Sequence, residues 1–353
     1  MKLRATFIDF VLKEWLLILS IIGFVLLSLY TRHFPAFSIN ELQVLFILFV
    51  LFVTVNGLQK NGLILKIAQK VEKGKLIPLK LVLATFFLSM LVTNDIALMV
   101  IVPLTLSLNI NRKDILVILE ALAANAGSVL TPIGNPQNLY IYWFYNIHPF
   151  TFIKTISPFS LFFLVLLIIS SIFIVTQKEL KKAKIQKLNK KAYIYGIWLV
   201  VVILIVFRIL PVSIGIGVIF FSVIFDRKTL YIDYALLFSF FFFFGIADNL
   251  KNIMASKISH STHIFLLSIL TSQIISNVPA TLLIAKFTSN WQALLWGVNS
   301  GGFGSLFGSL ANLIAYKLYI VHNKNNSIIF TIKFLTIGYL ALFISISLYF
   351  LIH

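Results

Sequence analysis

The stretch Ala124-Asn-Ala-Gly-Ser-Val-Leu-Thr-Pro-Ile-Gly-Asn-Pro-Gln-Asn-Leu139 lies inside a strongly apolar segment of the chain. It nevertheless contains three Asn, one Gln, one Ser, one Thr, two Pro and two Gly. Within a bilayer, such a composition is tolerated only where the backbone unwinds against protein or beside a water-filled cavity. We therefore predict that a helix is interrupted here.

A second copy of this stretch lies 174 residues further along the chain, and no gap is needed to align the two. The matching pairs are Asn125 with Asn299, Gly127 with Gly301, Gly134 with Gly308, Asn138 with Asn312, Leu139 with Leu313 and, by chemical type, Thr131 with Ser305. Two copies of one interrupted helix, in the two halves of an apolar chain, are typical of secondary transporters that bind their cargo between repeats.

The composition predicts an all-α polytopic membrane protein. The chain has 353 residues, of which 60% are hydrophobic and 11% charged, and its mean hydropathy is +1.01. A soluble domain carries roughly 25% charged residues. The formal charge of +18 comes from Lys and Arg scattered through short loops, which predicts contact with anionic lipid and no nucleic-acid partner. The absence of Cys excludes disulfides and thiolate chemistry, and no cleavable signal pattern is expected.

The two copies define two repeats, each with a helical hairpin and a broken helix. The arms of the first hairpin are about 13 residues long, short of the roughly 20 that cross a bilayer, so the hairpins are predicted to be re-entrant. A basic linker with seven Lys and one Glu separates the repeats, and a helix at the membrane interface is predicted over residues 56–80. The predicted boundaries are 1–40 (N-terminal scaffold helix and loop), 41–176 (repeat 1, with hairpin 81–108 and broken helix 114–145), 177–191 (cytoplasmic linker), 192–320 (repeat 2, with hairpin 263–289 and broken helix 291–319) and 328–353 (C-terminal helix).

The distribution of basic residues predicts the orientation. With the N-terminus in the cytoplasm, 23 of the 29 Lys and Arg lie on the inner side, as the positive-inside rule favours. This topology opens the first hairpin inward and the second outward, so the repeats are inverted. We expect a multi-pass protein of a prokaryotic inner membrane.

The hairpin tips read Thr93-Asn94-Asp95 and Ser276-Asn277-Val278. At each tip one helix ends and another begins, and helix N-termini attract anions while C-terminal carbonyls attract cations. An Asn side chain offers both an acceptor and donors. The two Asn could therefore bind an ion, and the alternative is that each only caps a helix.

Breaks in the crossing helices are predicted at residues 127–128, 131–138 and 301–305, where Gly and Pro interrupt the helix and free carbonyl oxygens. Such oxygens, with neutral side chains, suit a hard monovalent cation. The candidate substrate- and ion-binding residues are Thr93, Asn94, Asp95, Asn125, Ser128, Thr131, Gly134, Asn135, Asn138, Ser276, Asn277, Asn299, Gly301, Gly302, Ser305 and Asn312. Among these, the candidate sodium ligands are Asn94, Asn135, Asn277 and Gly301.

Asp95 is the single acid between Glu72 and Asp114, and a carboxyl at membrane depth is a functional candidate by default. It could ligate Na⁺, carry a proton or cap the second arm of the hairpin. Lys154 and Lys286 are isolated cations near helix ends and are predicted to extend to the interface. The chain has no phosphate loop, nucleophile elbow or HExxH motif, so we expect neither an enzyme nor a cofactor.

The segment Leu91-Val-Thr-Asn-Asp-Ile-Ala-Leu98, followed by Ile101-Val-Pro-Leu104, resembles the first hairpin of the ion transporter superfamily. That group includes citrate and dicarboxylate/sodium symporters, arsenite permeases and some sodium/proton antiporters. Residues 131–138 and 276–280 strengthen the resemblance, which is closest to the citrate-transporter-like permeases. It implies a scaffold domain that often forms a homodimer and a transport domain that moves as an elevator. In dicarboxylate symporters the tips read Ser-Asn-Thr, whereas the Asn-Asp pair here is closer to the arsenite permease pattern.

Together these observations predict an ion-coupled secondary transporter of a small, organic anion such as citrate or a dicarboxylate, with Na⁺ or H⁺ as the coupling ion. The alternative is a sodium/proton antiporter or an arsenite-type efflux permease, in which Asp95 would be essential.

Overall fold

The computed structural model describes residues 14–71, 75–174, 188–253, 260–323 and 327–353, with Asn252 described by its backbone alone. Within these ranges the chain forms sixteen α-helices and no strand, which confirms the all-α prediction. The basic start at residues 1–13 and most of the predicted linker lie outside the described residues.

The helices of the first half are α1 Trp15–Thr31, α2 Ile39–Lys60, α3 Leu63–Val71, α4 Ile77–Val92, α5 Asn94–Ser107, α6 Lys113–Ser128, α7 Pro136–Phe144 and α8 Pro149–Ile172. Those of the second half are α9 Lys191–Val206, α10 Ile216–Phe225, α11 Tyr234–Ile253, α12 Ser261–Ile275, α13 Asn277–Ala285, α14 Trp291–Ser300, α15 Leu310–His322 and α16 Ser327–Ile352.

The apolar surface identifies an integral membrane protein. In the described ranges, four helices are long and apolar enough to cross a bilayer: α2, α8, α16 and residues 234–251 of α11. On α8 and α16, large apolar side chains such as Val165, Ile169 and Phe343 are more than half exposed. A water-soluble protein rarely exposes so continuous an apolar surface, so these faces contact lipid.

The predicted interface helix is shorter in the structure than its predicted range of 56–80. Helix α2 continues through residues 56–60, and α3 then occupies Leu63–Val71. Of the apolar residues that suggested this helix, Ile64 and Ala68 are buried, whereas Ile67 is exposed. Helix α3 therefore packs one face against the protein.

Each hairpin turns at a single residue. Thr93 joins α4 to α5 with φ 75° and ψ 150°, and Ser276 joins α12 to α13 with φ 77° and ψ 155°. This region of backbone space is essentially restricted to glycine, and each such residue costs on the order of 1–3 kcal/mol. Equivalent hydrogen bonds stabilise the two strained turns. The Asn94 N–H donates to Gly134 O (3.2 Å), and the Asn277 N–H donates to Gly308 O (3.0 Å).

The crossing helices are interrupted between α6 and α7 and between α14 and α15, over residues 129–135 and 301–309. The predicted break at residues 127–128 is wrong, because both residues still belong to α6. The first break also ends earlier than predicted, because Pro136 begins α7 and proline favours the first helical position. The second extends further than predicted, to Ser309, whose Oγ accepts from the Ala311 N–H at 3.3 Å and so caps α15.

Candidate functional site

Two asparagine pairs join the repeats at the centre of the molecule. The Asn125 amide donates to Asn312 Oδ1 at 2.8 Å, and the Asn299 amide donates to Asn138 Oδ1 at 2.9 Å. Asn125 corresponds to Asn299, and Asn138 corresponds to Asn312. Exchanging the two repeats therefore converts one pair into the other. An approximate two-fold axis between the repeats produces such reciprocal contacts.

The remaining amide hydrogens of the four asparagines bind the broken helices. Asn125 and Asn299 each donate to the carbonyl four residues earlier, at 3.1 and 2.8 Å. Asn138 donates to the carbonyls of Ser128 and Val129 (both 3.4 Å), and Asn312 donates to those of Gly302 and Ser305 at 2.9 and 3.0 Å. All four are buried. The asparagines therefore fix both breaks and tie them to each other.

Hydroxyl side chains in each break form hydrogen bonds to the hairpin of the same repeat. Thr131 Oγ1 donates to Met90 O at 2.6 Å, and Ser305 Oγ donates to Gln273 O at 3.2 Å, the equivalent contact in repeat 2. In repeat 2 the Gln273 side chain adds donations to the carbonyls of Gly301 (2.7 Å) and Phe303 (2.9 Å). The carbonyl of Gly301, a candidate sodium ligand, thus already accepts one hydrogen bond.

The tip asparagines meet the same cluster. The Asn94 amide donates to Asn125 Oδ1 at 3.3 Å. A Cβ built on Gly302 would lie 3.2 Å from Asn277 Nδ2 and 3.7 Å from Asn125 Oδ1, so the second tip approaches the same backbone. Neither asparagine is the N-cap of its helix, because Thr93 and Ser276 hold that position and neither makes a side-chain capping bond.

Four helix N-termini converge on one small pocket between the tips. Asn94, Pro136, Asn277 and Leu310 are the first residues of α5, α7, α13 and α15, and all four line this pocket. Its volume is about 10 Å³, room for roughly one water molecule. The remaining lining residues are Asp95, Gln137, Leu236, Phe240, Val278 and Ser309. The positive ends of four helix dipoles therefore face a space whose lining, among the described residues, includes no Lys or Arg.

Asp95 lies where this pocket adjoins a larger cavity. Its Oδ1 is buried and has no hydrogen-bond partner within the described residues, and its backbone N–H donates to Asn94 Oδ1 at 3.0 Å. The carboxylate therefore does not cap the helix. The larger cavity has a volume of about 500 Å³, and its wall includes Asp95, Asp233 and Lys317 among mainly apolar side chains.

Neutral oxygens beside the first break fit a monovalent cation better than a divalent metal. Asn135 donates from Nδ2 to Ser128 Oγ at 2.7 Å, and its buried Oδ1 has no partner among the described residues. Among all the residues that the structure describes, no group of three or more His, Asp or Glu is placed to hold a metal ion.

The prediction that Lys286 extends to the membrane interface is wrong. Its Nζ lies 2.9 Å from Glu41 Oε1 and 3.5 Å from Asp248 Oδ1, and the lysine and Glu41 side chains are 9% and 1% exposed. Glu41 Oε2 also accepts from the N–H and hydroxyl of Ser38, which caps α2. The ion pairs join the end of hairpin 2 to α2 and α11. Lys154, in contrast, is exposed.

We expect Lys286→Met to destabilise the protein by about 3–5 kcal/mol, because it leaves the Glu41 carboxylate buried without a counterion. Thermal unfolding in detergent measures the effect. Lys154→Met is the matched control and should change stability by less than about 0.5 kcal/mol. The double variant Glu41→Gln/Lys286→Met should recover part of the loss; equal stability of Lys286→Met and the wild type would contradict the assigned ion pair.

Sequence reasoning missed two residues that line the pocket and one buried carboxyl group outside it. Ser309 and Gln137 line the pocket at the N-termini of α15 and α7, and Glu120 is buried inside α6. The 174-residue shift places Asn135 on Ser309 and would have found it. Gln137 and Glu120 have apolar counterparts, Ala311 and Leu294, so the duplication carries no signal for them.

Comparison with known proteins identifies the family. The family model described as "Citrate transporter" matches residues 7–297, well over half of the chain. The chain belongs to the citrate transporter family. The predicted resemblance to the ion transporter superfamily is thereby confirmed, and the match covers repeat 1, hairpin 2 and the start of α14.

Two membrane proteins are similar in sequence to this chain, which is consistent with its membership of the citrate transporter family. An uncharacterized transporter from Methanocaldococcus jannaschii is 37% identical over 311 residues, which cover 84% of this chain and 87% of the relative. The inner membrane protein YbiR of Escherichia coli is 33% identical over 271 residues, 72% of each chain. This member of the citrate transporter family is therefore a membrane transporter.

Proposed function

We propose that this protein carries a small organic anion, such as citrate or a dicarboxylate, across a prokaryotic inner membrane by ion-coupled alternating access. The observation that carries the proposal is the convergence of four helix N-termini on one pocket without Lys or Arg. Helix N-termini attract carboxylates through the positive end of the helix dipole. The anion would sit between the tips of the two hairpins when they part.

The coupling ion would bind beside the anion. Asn135 Oδ1 and Asp95 Oδ1 are buried oxygens that need a partner, and an unpaired buried polar group costs about 1–3 kcal/mol. Na⁺ or H⁺ would supply that partner. The repeats would be inverted in the membrane with the N-terminus in the cytoplasm, and the hairpins and broken helices would move against the scaffold helices.

Transport in proteoliposomes tests the proposal. Uptake of labelled citrate or succinate driven by an inward Na⁺ or H⁺ gradient supports it, and the complete absence of uptake of organic anions would overturn it. A thermal-shift screen of anions with and without Na⁺ selects the substrates to label, because ligands of the folded state raise apparent stability.

The unpartnered carboxylate of Asp95 supports a second candidate, a sodium/proton antiporter or an arsenite-type efflux permease. Asp95→Asn should abolish Na⁺-dependent proton movement measured without any organic anion, because an amide cannot exchange the proton. Asp233→Asn is the matched control, since Asp233 lines the same cavity but already accepts from the Leu236 N–H at 2.9 Å. Antiport activity retained in Asp95→Asn would exclude this candidate.

A further inference from the structure

A second carboxyl group lies deep inside repeat 1, away from the hairpin tips. Glu120 is in the middle of α6 and is 0% exposed. The four residues before it and the four after it, 116–119 and 121–124, are all apolar and buried. One carboxyl oxygen, Oε1, accepts a hydrogen bond from the Thr105 hydroxyl on α5, and the other, Oε2, has no partner within the described residues.

No described cation neutralises this carboxyl. Helices α4, α5, α8, α15 and α16 pack against α6. The titratable side chains on these helices and on α6 itself are Lys80, Asp95, Lys113, Asp114, Lys154, Tyr316, Lys317, Tyr319, His322, Lys333, Tyr339 and Tyr349. The nearest in sequence are engaged elsewhere: Lys113 Nζ donates to Leu106 O at 2.8 Å, and Asp114 pairs with Lys333. Asp95 is ten residues from Thr105 along α5, or about 15 Å at 1.5 Å per residue.

The fold does not need a carboxyl at this position. The 174-residue shift places Glu120 on Leu294, which is fully buried in α14 of repeat 2. The asparagine contacts of the two broken helices match, and at this position an apolar side chain suffices for the packing of α14. A buried carboxylate without a counterion is far more costly than a leucine, and such a group takes up a proton instead.

We propose that Glu120 is a proton-binding site that loads and unloads one H⁺ during transport. Thr105 orients the carboxyl, and the proton resides on it while the site is closed to water. Because Thr105 belongs to the arm that begins at Asn94, protonation of Glu120 is linked to the packing of hairpin 1 on the broken helix. The inference rests on the proposed transport function and adds its coupling residue.

Two variants test the proposal: Glu120→Gln keeps the shape and hydrogen bonding of a neutral carboxyl, and Glu120→Leu introduces the residue that repeat 2 already tolerates. Infrared titration of the purified protein should show the carbonyl band of a protonated buried carboxyl in the wild type and in Asp95→Asn. In the Asp95→Asn background, where Asp95 contributes no carboxyl proton, that band should be absent from both Glu120 variants. Its persistence in both would overturn the proposal, whatever the transport activity.

The transport readout is the ratio of labelled citrate uptake with and without an inward proton gradient. We expect the ratio to exceed one in the wild type and to fall to one in Glu120→Gln, while uptake without a gradient continues. A wild-type ratio retained in Glu120→Gln, or citrate uptake by the wild type that ignores the proton gradient, would overturn the role of Glu120. Neither result would contradict anion transport itself, which fails only if the wild type takes up neither citrate nor any other organic anion tested.

Discussion

Replacing Asn94 or Asn277 by alanine is expected to reduce gradient-driven anion uptake at least about 100-fold, with little change in the amount of folded protein. Each residue is the first of its helix and lines the central pocket, and the Asn94 amide also donates to Asn125 Oδ1. Loss of a buried hydrogen bond to an ion or a charged ligand costs about 1.5–3 kcal/mol, and the misplacement of a tip adds to that loss. Uptake per folded transporter in proteoliposomes measures the effect.

Asn40→Ala is the matched control for the tip variants, because Asn40 is exposed at the start of α2. It should transport like the wild type. Because the two tips occupy equivalent positions in the repeats, both tip variants should lose transport. If Asn94→Ala or Asn277→Ala transported at the wild-type rate, the assignment of the pocket as the binding site would fail.

Replacing Gly127 by alanine is expected to lower the unfolding temperature by roughly 5 °C or more, because overpacking of a tight contact costs about 1–3 kcal/mol or more. Gly127 lies on the face of α6 that contacts α4. A Cβ at this position would lie 2.2 Å from Phe86 O and 2.7 Å from Ser89 Oγ. The first contact is with the backbone, so no side-chain rotation relieves it.

Gly196→Ala provides the control, since a Cβ at Gly196 in α9 would have no neighbour within 4 Å. Alanine is favoured over glycine inside a helix by up to about 1 kcal/mol, so this variant should be as stable as the wild type or slightly more so. Size-exclusion profiles and melting curves of both proteins in the same detergent make the comparison. Equal melting temperatures for Gly127→Ala and Gly196→Ala would show that α4 and α6 pack less closely than described.

The duplicated features of the molecule could be predicted from sequence, and the features that the repeats do not share could not. The interrupted helices, the hairpin tips and the four central asparagines all repeat, because an approximate two-fold arrangement needs the same polar groups in both halves. The 174-residue shift that aligns the broken helices is insensitive to Glu120, whose counterpart is Leu294. Alignment of the hairpin tips at Asn94 and Asn277 is equally insensitive to Gln273, which then falls on Met90.

Long-range ion pairs were also beyond sequence reasoning. Lys286 and Glu41 are 245 positions apart, and a lone lysine after an apolar helix has the same local pattern whether it reaches lipid headgroups or a buried carboxylate. Only the packing of hairpin 2 against α2 distinguishes the two outcomes. The ends of the breaks were imprecise for a local reason, since Pro136 and Ser309 start helices as readily as they stop them.

The two asparagine pairs join the repeats, so neither half of the chain can form the central hydrogen-bonded cluster alone. A polypeptide that ended after residue 174 would present Asn125 and Asn138 without Asn312 and Asn299. It could regain equivalent groups from a second copy of itself related by the same two-fold axis. With the inverted repeats proposed above, such a half-length molecule would need to insert in both directions, and fusing two copies into one chain removes that requirement while leaving each copy free to acquire residues of its own.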